Sequence, residues 1–130
     1  MAAEVELPWV VRGAPALGSK SEWGPRGWAW LHALSISYPA APTKHERFAA
    51  FARVHAFIRS LPCDECTQHA TAYVRRFPPD FSGSCGLQTW AWRFHNAVNL
   101  RLGKPIVDAE AYRRLYAEEL SAANWPLVAQ

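Results

Sequence analysis

Two cysteines stand three positions apart in the stretch "LPCDEC", Cys63 and Cys66, directly after a proline. We expect a helix to begin here, so that unpaired amide groups and the positive end of the helix dipole stabilise a thiolate in its first turn. This position favours redox chemistry, although the neighbouring carboxylates of Asp64 and Glu65 disfavour a further negative charge. The spacing by itself also allows an unreactive structural pair.

A zinc site is a third interpretation of the same pair. Structural zinc needs four ligands, and His69 could join the two cysteines. No second pair with ligand spacing follows, and Cys85 stands alone. We therefore expect no metal site, and three cysteines allow at most one internal disulfide.

A second group of chemically interesting residues lies in the stretch "WAWRFHNAVNLRLGK". Helical spacing places an aromatic ring, an imidazole and two amides on one stripe, namely Trp92, His95, Asn96 and Asn99. Polar groups that face a core must be hydrogen-bonded, and a single Asn or His most often bonds neighbouring backbone. Together they predict the lining of a pocket for a flat molecule with polar edges, and Trp28 and His32 offer a matching surface one turn apart.

The hydrophobic pattern predicts helices to position these residues, and no alternating run or hairpin turn predicts a strand. The predicted helices run from Ser21 to before Pro39, from the capping box of Thr43 and Glu46 to before Pro62, from Cys63 to Arg76, from Leu87 to Leu102, and, as a short fifth, onward from Asp108. The expected fold is all-α, a four-helix up-and-down bundle with a short fifth helix. We expect an irregular leader over residues 1–20, one domain over 21–120 and a short tail over 121–130.

The composition excludes several classes of function. The chain has 130 residues, half of them hydrophobic, and its net charge of +3 comes from dispersed basic residues, which argues against a nucleic-acid groove. No apolar run approaches the roughly 20 residues that cross a bilayer. The first residues include Glu4 and Glu6 and lack a basic, then apolar, signal pattern, so we expect the cytoplasm or a compartment reached without cleavage.

Three stretches in one order carry a family resemblance: "GPRGWAWLH", then "LPCDEC", then "FHNAVNLRLGKP". In order, spacing and identity they resemble the flavin-linked sulfhydryl oxidases of the Erv/ALR family, and the resemblance covers about Trp23 to Leu120. Among these enzymes the chain is most similar to the small forms encoded by large DNA viruses. For a virus-encoded protein, the viral factory or the virion joins the cytoplasm as an expected location.

The resemblance implies an FAD-dependent thiol oxidase that forms disulfides in protein or dithiol substrates. It implies FAD bound within the bundle, a homodimer, and electrons that pass through the Cys63–Cys66 disulfide to FAD and then to O₂, giving H₂O₂. Cys63 would face the substrate and Cys66 the flavin. The matching cofactor contacts are Gly24, Trp28, Leu31 and His32 in the first motif, His95, Asn96, Asn99, Leu102 and Lys104 in the second, and Tyr116 as an aromatic against the cofactor.

The chain departs from many relatives in its cysteines. A second disulfide is absent, since its positions correspond to about Leu87 and Trp92, and residues 1–20 and 121–130 contain no shuttle cysteines. We therefore expect a substrate or a thioredoxin-like carrier to reach the CxxC pair directly. Cys85 is either a buried or free thiol, or a bridge between dimer partners or an electron relay. The competing interpretation is a non-enzymatic helical binding module that uses CxxC as a structural or zinc site.

Overall fold

Five helices make up the described part of the chain, residues 20–117 of a computed structural model, in which burial is described from Gly27 onward. They are α1 (Lys20–Ser37), α2 (Lys44–Arg59), α3 (Asp64–Arg76), α4 (Ser84–Arg101) and α5 (Ala109–Leu115). Between residues 20 and 117 there is no strand, and the predicted all-α bundle with a short fifth helix is confirmed. Most of the predicted leader and the predicted tail lie outside the described residues. None of the described helices combines the length and the apolar character that a bilayer crossing requires.

The bundle is held together mainly by two helix pairs, α1 against α4 and α2 against α3. The central helix is α1, whose Leu31 and Leu34 are completely buried, as is Tyr38 directly after its end. Trp30 stacks on Phe57 of α2, with ring centroids 5.3 Å apart and planes 4° from parallel. These large side chains form one apolar core, which is the main favourable term in the stability of a domain of this size.

Side-chain caps fix the starts of three helices. Thr43 accepts from the amide of Glu46 at 3.1 Å, and the Glu46 carboxylate accepts from the amide of Thr43 at 2.9 Å, which is the predicted capping box. Asp108 caps α5 by accepting from the amide of Ala111 at 2.8 Å. At α3 the cap is Cys63, whose Sγ accepts from the amide of Cys66 at 3.1 Å.

The fourth helix begins at Ser84, three residues before the predicted start at Leu87. Its low-propensity serine and glycine are held by tertiary contacts: the buried Ser84 hydroxyl donates to the Ser35 carbonyl oxygen at 2.9 Å. A Cβ on Gly83 would lie 2.6 Å from the Ala40 carbonyl oxygen, so this approach between the start of α4 and the turn after α1 requires glycine. The residues from Ser84 to Gly86, which the sequence predicted as a loop, are therefore helical because contacts with other parts of the fold hold them.

The end of α4 follows the predicted stop at Gly103, which adopts a φ of 70°. The Gly103 amide donates to the Leu100 carbonyl at 3.2 Å, and the Lys104 amide donates to the Asn99 carbonyl at 2.8 Å. These two bonds form a Schellman motif, which satisfies carbonyls that the helix end leaves unpaired. The turn also folds Lys104 back beside the last turn of α4.

Candidate active site

A large cavity lies beside the two vicinal cysteines and has a volume of about 740 Å³. Its walls come from α3 and α4, with Trp28 of α1 and Phe57 of α2 completing them. The volume is in the range of sites that enclose small-molecule ligands, about 300–1,000 Å³. Of the residues that the sequence predicted to line a pocket, Trp28 and Asn99 line this cavity, whereas Trp92, His95, Asn96 and His32 do not, and α3 supplies much of the wall instead.

Cys63 and Cys66 are joined by a disulfide, and both line the cavity. Each is only half-buried, because Cys63 is the cap of α3 and Cys66 lies in its first turn. In this form the sulfurs are bonded to each other and are not thiolates available to zinc, which removes the basis of the zinc interpretation. The helix N-terminus is positioned to stabilise the thiolate that forms when the disulfide opens.

One face of α3 continues the cavity wall beyond the disulfide. Cys66, His69, Tyr73 and Arg76 recur at helical spacing and all line the cavity. Burial raises the pKa of Tyr73, so its hydroxyl is neutral at physiological pH. Neither Tyr73 nor Arg76 was predicted as a site residue, although their spacing from Cys66 was a signal that could have found them.

The opposite wall is the last two turns of α4 and the turn that follows. The predicted cofactor contacts Asn99, Leu102 and Lys104 line the cavity, together with Phe94 and Arg101. Asn99 is buried, and Lys104 reaches the cavity because of the Gly103 turn. Arg101 stands between matched motif positions, and no pattern in the sequence marked it.

A charged cluster joins the two walls next to the disulfide. The Glu65 carboxylate lies 3.6 Å from His69 Nε2 and 3.9 Å from an Arg101 guanidinium nitrogen. All three residues line the cavity. Because Glu65 and His69 are more than a third exposed, these pairs contribute little to stability.

A comparison with known protein families finds one match over most of the chain. The model of the Erv1 / Alr family matches residues 25–119, more than half of the chain. This chain belongs to the Erv1 / Alr family. The match includes the disulfide, both cavity walls and α5.

Individual relatives agree with membership of the Erv1 / Alr family. The chain is 37% identical over 98 residues to the "FAD-linked sulfhydryl oxidase" of African swine fever virus (isolate Pig/Kenya/KEN-50/1950), covering 75% of this chain and 82% of the viral one. It is 32% identical to "FAD-linked sulfhydryl oxidase ERV1" of Oryza sativa subsp. japonica, covering 71% of this chain but 47% of the rice protein. The resemblance to the family and to its small viral forms is thus confirmed.

A solved structure has the same fold. The crystal structure of the FAD binding domain of Erv1 from Saccharomyces cerevisiae superimposes with a TM-score of 0.72 at 26% identity. The match covers 79% of this chain and 98% of the yeast domain. The five-helix arrangement is therefore that of the Erv1 / Alr family.

Two histidines of the Erv1 / Alr motifs meet between α1 and α4. His32 Nε2 and His95 Nδ1 are hydrogen-bonded at 3.0 Å, and Trp28 stacks on His95 with centroids 4.0 Å apart. Burial, with a smaller contribution from His95, lowers the pKa of His32 to about 3. Burial, with a smaller contribution from Lys104, lowers the pKa of His95 to about 4. Both rings are therefore neutral at physiological pH.

The predicted polar stripe of α4 divides between different neighbours. Asn96 Nδ2 donates to the Val107 carbonyl and Asn96 Oδ1 accepts from the Val107 amide, each at 2.8 Å. Trp92 Nε1 also donates to the Val107 carbonyl, at 2.7 Å. Consecutive helical residues point about 100° apart, so Asn96 faces the segment after α4, whereas His95 faces α1. For Asn96 the structure has the bonds to backbone that a single buried amide most often makes, and its contact with a cofactor stays a prediction.

The remaining predicted cofactor contacts lie elsewhere. Leu31 is completely buried in the core, and Tyr116 packs against His32 with ring centroids 4.9 Å apart. Gly24 lies in α1, where its surroundings are outside the described side chains. Leu31, Tyr116, His32 and His95 are not among the residues that line the described cavity.

A buried tyrosine in α5 was not recognised from the sequence as a contact of the histidine pair. The Tyr112 ring meets that of His32 edge-on at 5.4 Å, and its hydroxyl donates to Gln88 Oε1 at 3.3 Å. Burial raises its pKa above the usual range for tyrosine. Tyr112 therefore ties α5 to α1 and α4 as a neutral group.

Cys85 is a free, exposed thiol near the start of α4. Of the predicted alternatives, which included a buried or free thiol, the structure shows the free thiol and not a buried one, because the first turn of α4 directs residue 85 to the surface. It is not among the residues that line the cavity.

Proposed function

We propose that this chain is an FAD-dependent sulfhydryl oxidase that forms disulfide bonds in protein or dithiol substrates. The observation that carries the proposal is the Cys63–Cys66 disulfide in the wall of a 740 Å³ cavity, in a chain of the Erv1 / Alr family. Its relatives are named FAD-linked sulfhydryl oxidases.

The cavity has the chemistry that FAD requires. FAD combines a flat ring system with an anionic diphosphate, so its site needs apolar, aromatic walls and a few cationic groups. The aromatic walls come from Trp28, Tyr73 and Phe94. The cationic groups are those of Arg76, Arg101 and Lys104. His32, a predicted cofactor contact outside the cavity lining, has a buried Nδ1 without a partner among the described residues.

The residues of the chain perform the thiol–disulfide exchange. A substrate thiolate attacks Cys63 Sγ and forms a mixed disulfide, the Cys63–Cys66 bond breaks, and its electron pair stays on Cys66 as a thiolate. The second substrate thiol then attacks the mixed disulfide, which releases the oxidised substrate and a reduced Cys63. Unpaired amides at the start of α3 stabilise the thiolates in both steps. Bound FAD would accept the electron pair from the dithiol and transfer it to O₂, giving H₂O₂.

Cys63 is the substrate-side sulfur in this scheme and Cys66 the flavin-side sulfur. The position of Cys66 at the start of the α3 wall supports this order, since His69 and Tyr73 extend the same face into the cavity. Substrates reach the pair directly or through a thioredoxin-like carrier. The active form is a homodimer, and its location is the cytoplasm or, for a virus-encoded protein, the viral factory or virion.

Purified protein tests the proposal. We expect a yellow protein with a flavin absorption spectrum that consumes O₂ and produces equimolar H₂O₂ when dithiothreitol is added. Cys66→Ser should keep the flavin and lose dithiol oxidation, whereas Cys85→Ser should keep both. A colourless preparation that FAD does not reconstitute, or undiminished oxidation in Cys66→Ser, would refute it.

A further inference from the structure

His69 is one of five histidines in the chain and the one that shares the cavity wall with the disulfide. His32 and His95 are bonded to each other behind the wall, and their low pKa values keep them uncharged. His45 and His55 lie on α2 and do not line the cavity. Among the described residues, one imidazole thus shares the cavity wall with the reacting sulfurs.

His69 lies on the same face of α3 as Cys66, and both line the cavity. Residues three and four apart on a helix are neighbours, so His69 lies one turn above both Glu65 and Cys66. Its Nε2 is 3.6 Å from the Glu65 carboxylate, and the ring is half exposed in the cavity wall. The imidazole thus lies on the same helix face as Cys66, the sulfur that a substrate displaces when it attacks Cys63.

We infer that His69, as an imidazolium, pairs with the Cys66 thiolate that is released when a substrate thiolate attacks Cys63. This rests on the proposed oxidase function. In the step, the Cys63–Cys66 bond breaks and the bond between the substrate sulfur and Cys63 forms. The electron pair goes to Cys66, and the negative charge moves from the substrate sulfur to Cys66, so charge and atoms balance without a further reactant.

Glu65 is a positioning residue for this histidine. Its carboxylate is the counter-ion of the protonated ring and is itself held by Arg101 from the opposite wall, at 3.9 Å. The other titratable or charged groups that line the cavity are Tyr73, Arg76 and Lys104, and the segments from α1 and α2 contribute none. A thiolate–imidazolium pair is a known means of keeping a cysteine ionised at neutral pH.

The direct test measures when the Cys66 thiol ionises. In full-length, FAD-loaded protein carrying Cys63→Ser and Cys85→Ser, Cys66 is the single cysteine, and serine is itself a good helix cap. The rate of alkylation by iodoacetamide is followed from pH 4 to 10 in this parent, with His69→Gln and with His45→Gln. We expect His69→Gln to raise the midpoint of the pH dependence of alkylation by about one pH unit or more, and His45→Gln to leave that midpoint unchanged. His69→Lys, which restores a positive charge, should return the midpoint towards that of the parent.

A midpoint in His69→Gln equal to that of the parent would overturn the inference, whether or not the flavin stays bound. The half-exposed position makes a folding defect unexpected, and His69→Asn provides a second neutral variant. With all three cysteines restored, His69→Gln should lower kcat/KM for dithiothreitol at pH 7 by tenfold or more and shift the acidic limb of its pH profile. An inactive wild-type protein that does not bind flavin would instead refute the oxidase function, so the two failures are distinguishable.

Discussion

His32 Nε2 and His95 Nδ1 lie 3.0 Å apart and connect α1 to α4 in the interior of the bundle. Because neither ring is protonated at neutral pH, one nitrogen donates and the other accepts. His32 Nδ1 is left without a partner among the described residues. Two neutral imidazoles held in this way form a polar contact that acid will break.

Acidification should therefore destabilise the protein through this pair. Histidines in the unfolded chain bind protons below about pH 6.5, whereas the folded pair takes them up only near pH 4 and pH 3. Between about pH 6 and 4 the unfolded state binds more protons, so the free energy of unfolding falls by at most about 1.4 kcal/mol per pH unit for each ring. Urea unfolding of His95→Gln should show a shallower pH dependence than wild type. His45→Gln, changed on the exposed start of α2, is the control, and equal slopes in wild type and His95→Gln would contradict the prediction.

Asn96 should stabilise the segment that connects α4 to α5. Asn96→Ala removes both bonds to Val107 and leaves its amide unpaired, while Trp92 still donates to its carbonyl, so we expect a loss of about 2 kcal/mol in the free energy of unfolding. Asn96→Asp keeps the acceptor for the Val107 amide and should cost less. Urea unfolding measures both, and hydrogen exchange at the Val107 amide should accelerate in the alanine variant more than in the aspartate one. An alanine variant as stable as wild type would show that the bonds contribute nothing net.

Trp30 contributes to the stability of the fold through the buried area of its ring and not through a hydrogen bond of its indole N–H. The ring is buried against Phe57, whereas Nε1 has no hydrogen-bond partner among the described residues. Trp30→Ala should lower the free energy of unfolding by about 3–5 kcal/mol, as large core truncations do. Trp30→Phe keeps much of the contact and loses no hydrogen bond, so its cost should be about half of that or less. Thermal and urea unfolding compare the two, and equal costs would point to a hidden role for the indole nitrogen.

Cys85 should be dispensable for dithiol oxidation. It is exposed, free and absent from the cavity wall. Cys85→Ser should leave kcat and KM for dithiothreitol within about twofold of wild type, since surface substitutions away from a site have small effects. Non-reducing electrophoresis and light scattering then show whether Cys85 links two chains. A large fall in kcat in Cys85→Ser would instead make it an electron relay.

The secondary structure was largely predictable, because caps and stops act through local chemistry. The capping box at Thr43, the cap at Asp108 and the stop at Gly103 were predicted and found. The start of α4 was missed because Ser84 is held by a carbonyl 49 positions earlier in the chain, and no local signal carries that contact.

The candidate site was predictable in part. The cysteine pair, Trp28, Asn99, Leu102 and Lys104 meet in one cavity, as the motifs indicated. Spacing along α4 could not tell which neighbour each polar residue would face, since that depends on how the chain returns after Gly103. The charged bridge between Glu65 and Arg101 was not predictable, because it joins residues from two helices whose relative placement no short motif specifies.

The space between α3 and α4 is a cavity at a place where other helical bundles have packed side chains. Each of these helices has its main partner elsewhere, α2 for one and α1 for the other, and their facing sides line the cavity. A flat ligand that fills this space supplies the apolar contacts that side chains supply in other bundles. Ligand binding is then coupled to folding. A ligand present at 100 times its dissociation constant adds about 2.7 kcal/mol to the free energy of unfolding. The cellular supply of that ligand would thereby set how long newly made chains survive proteolysis.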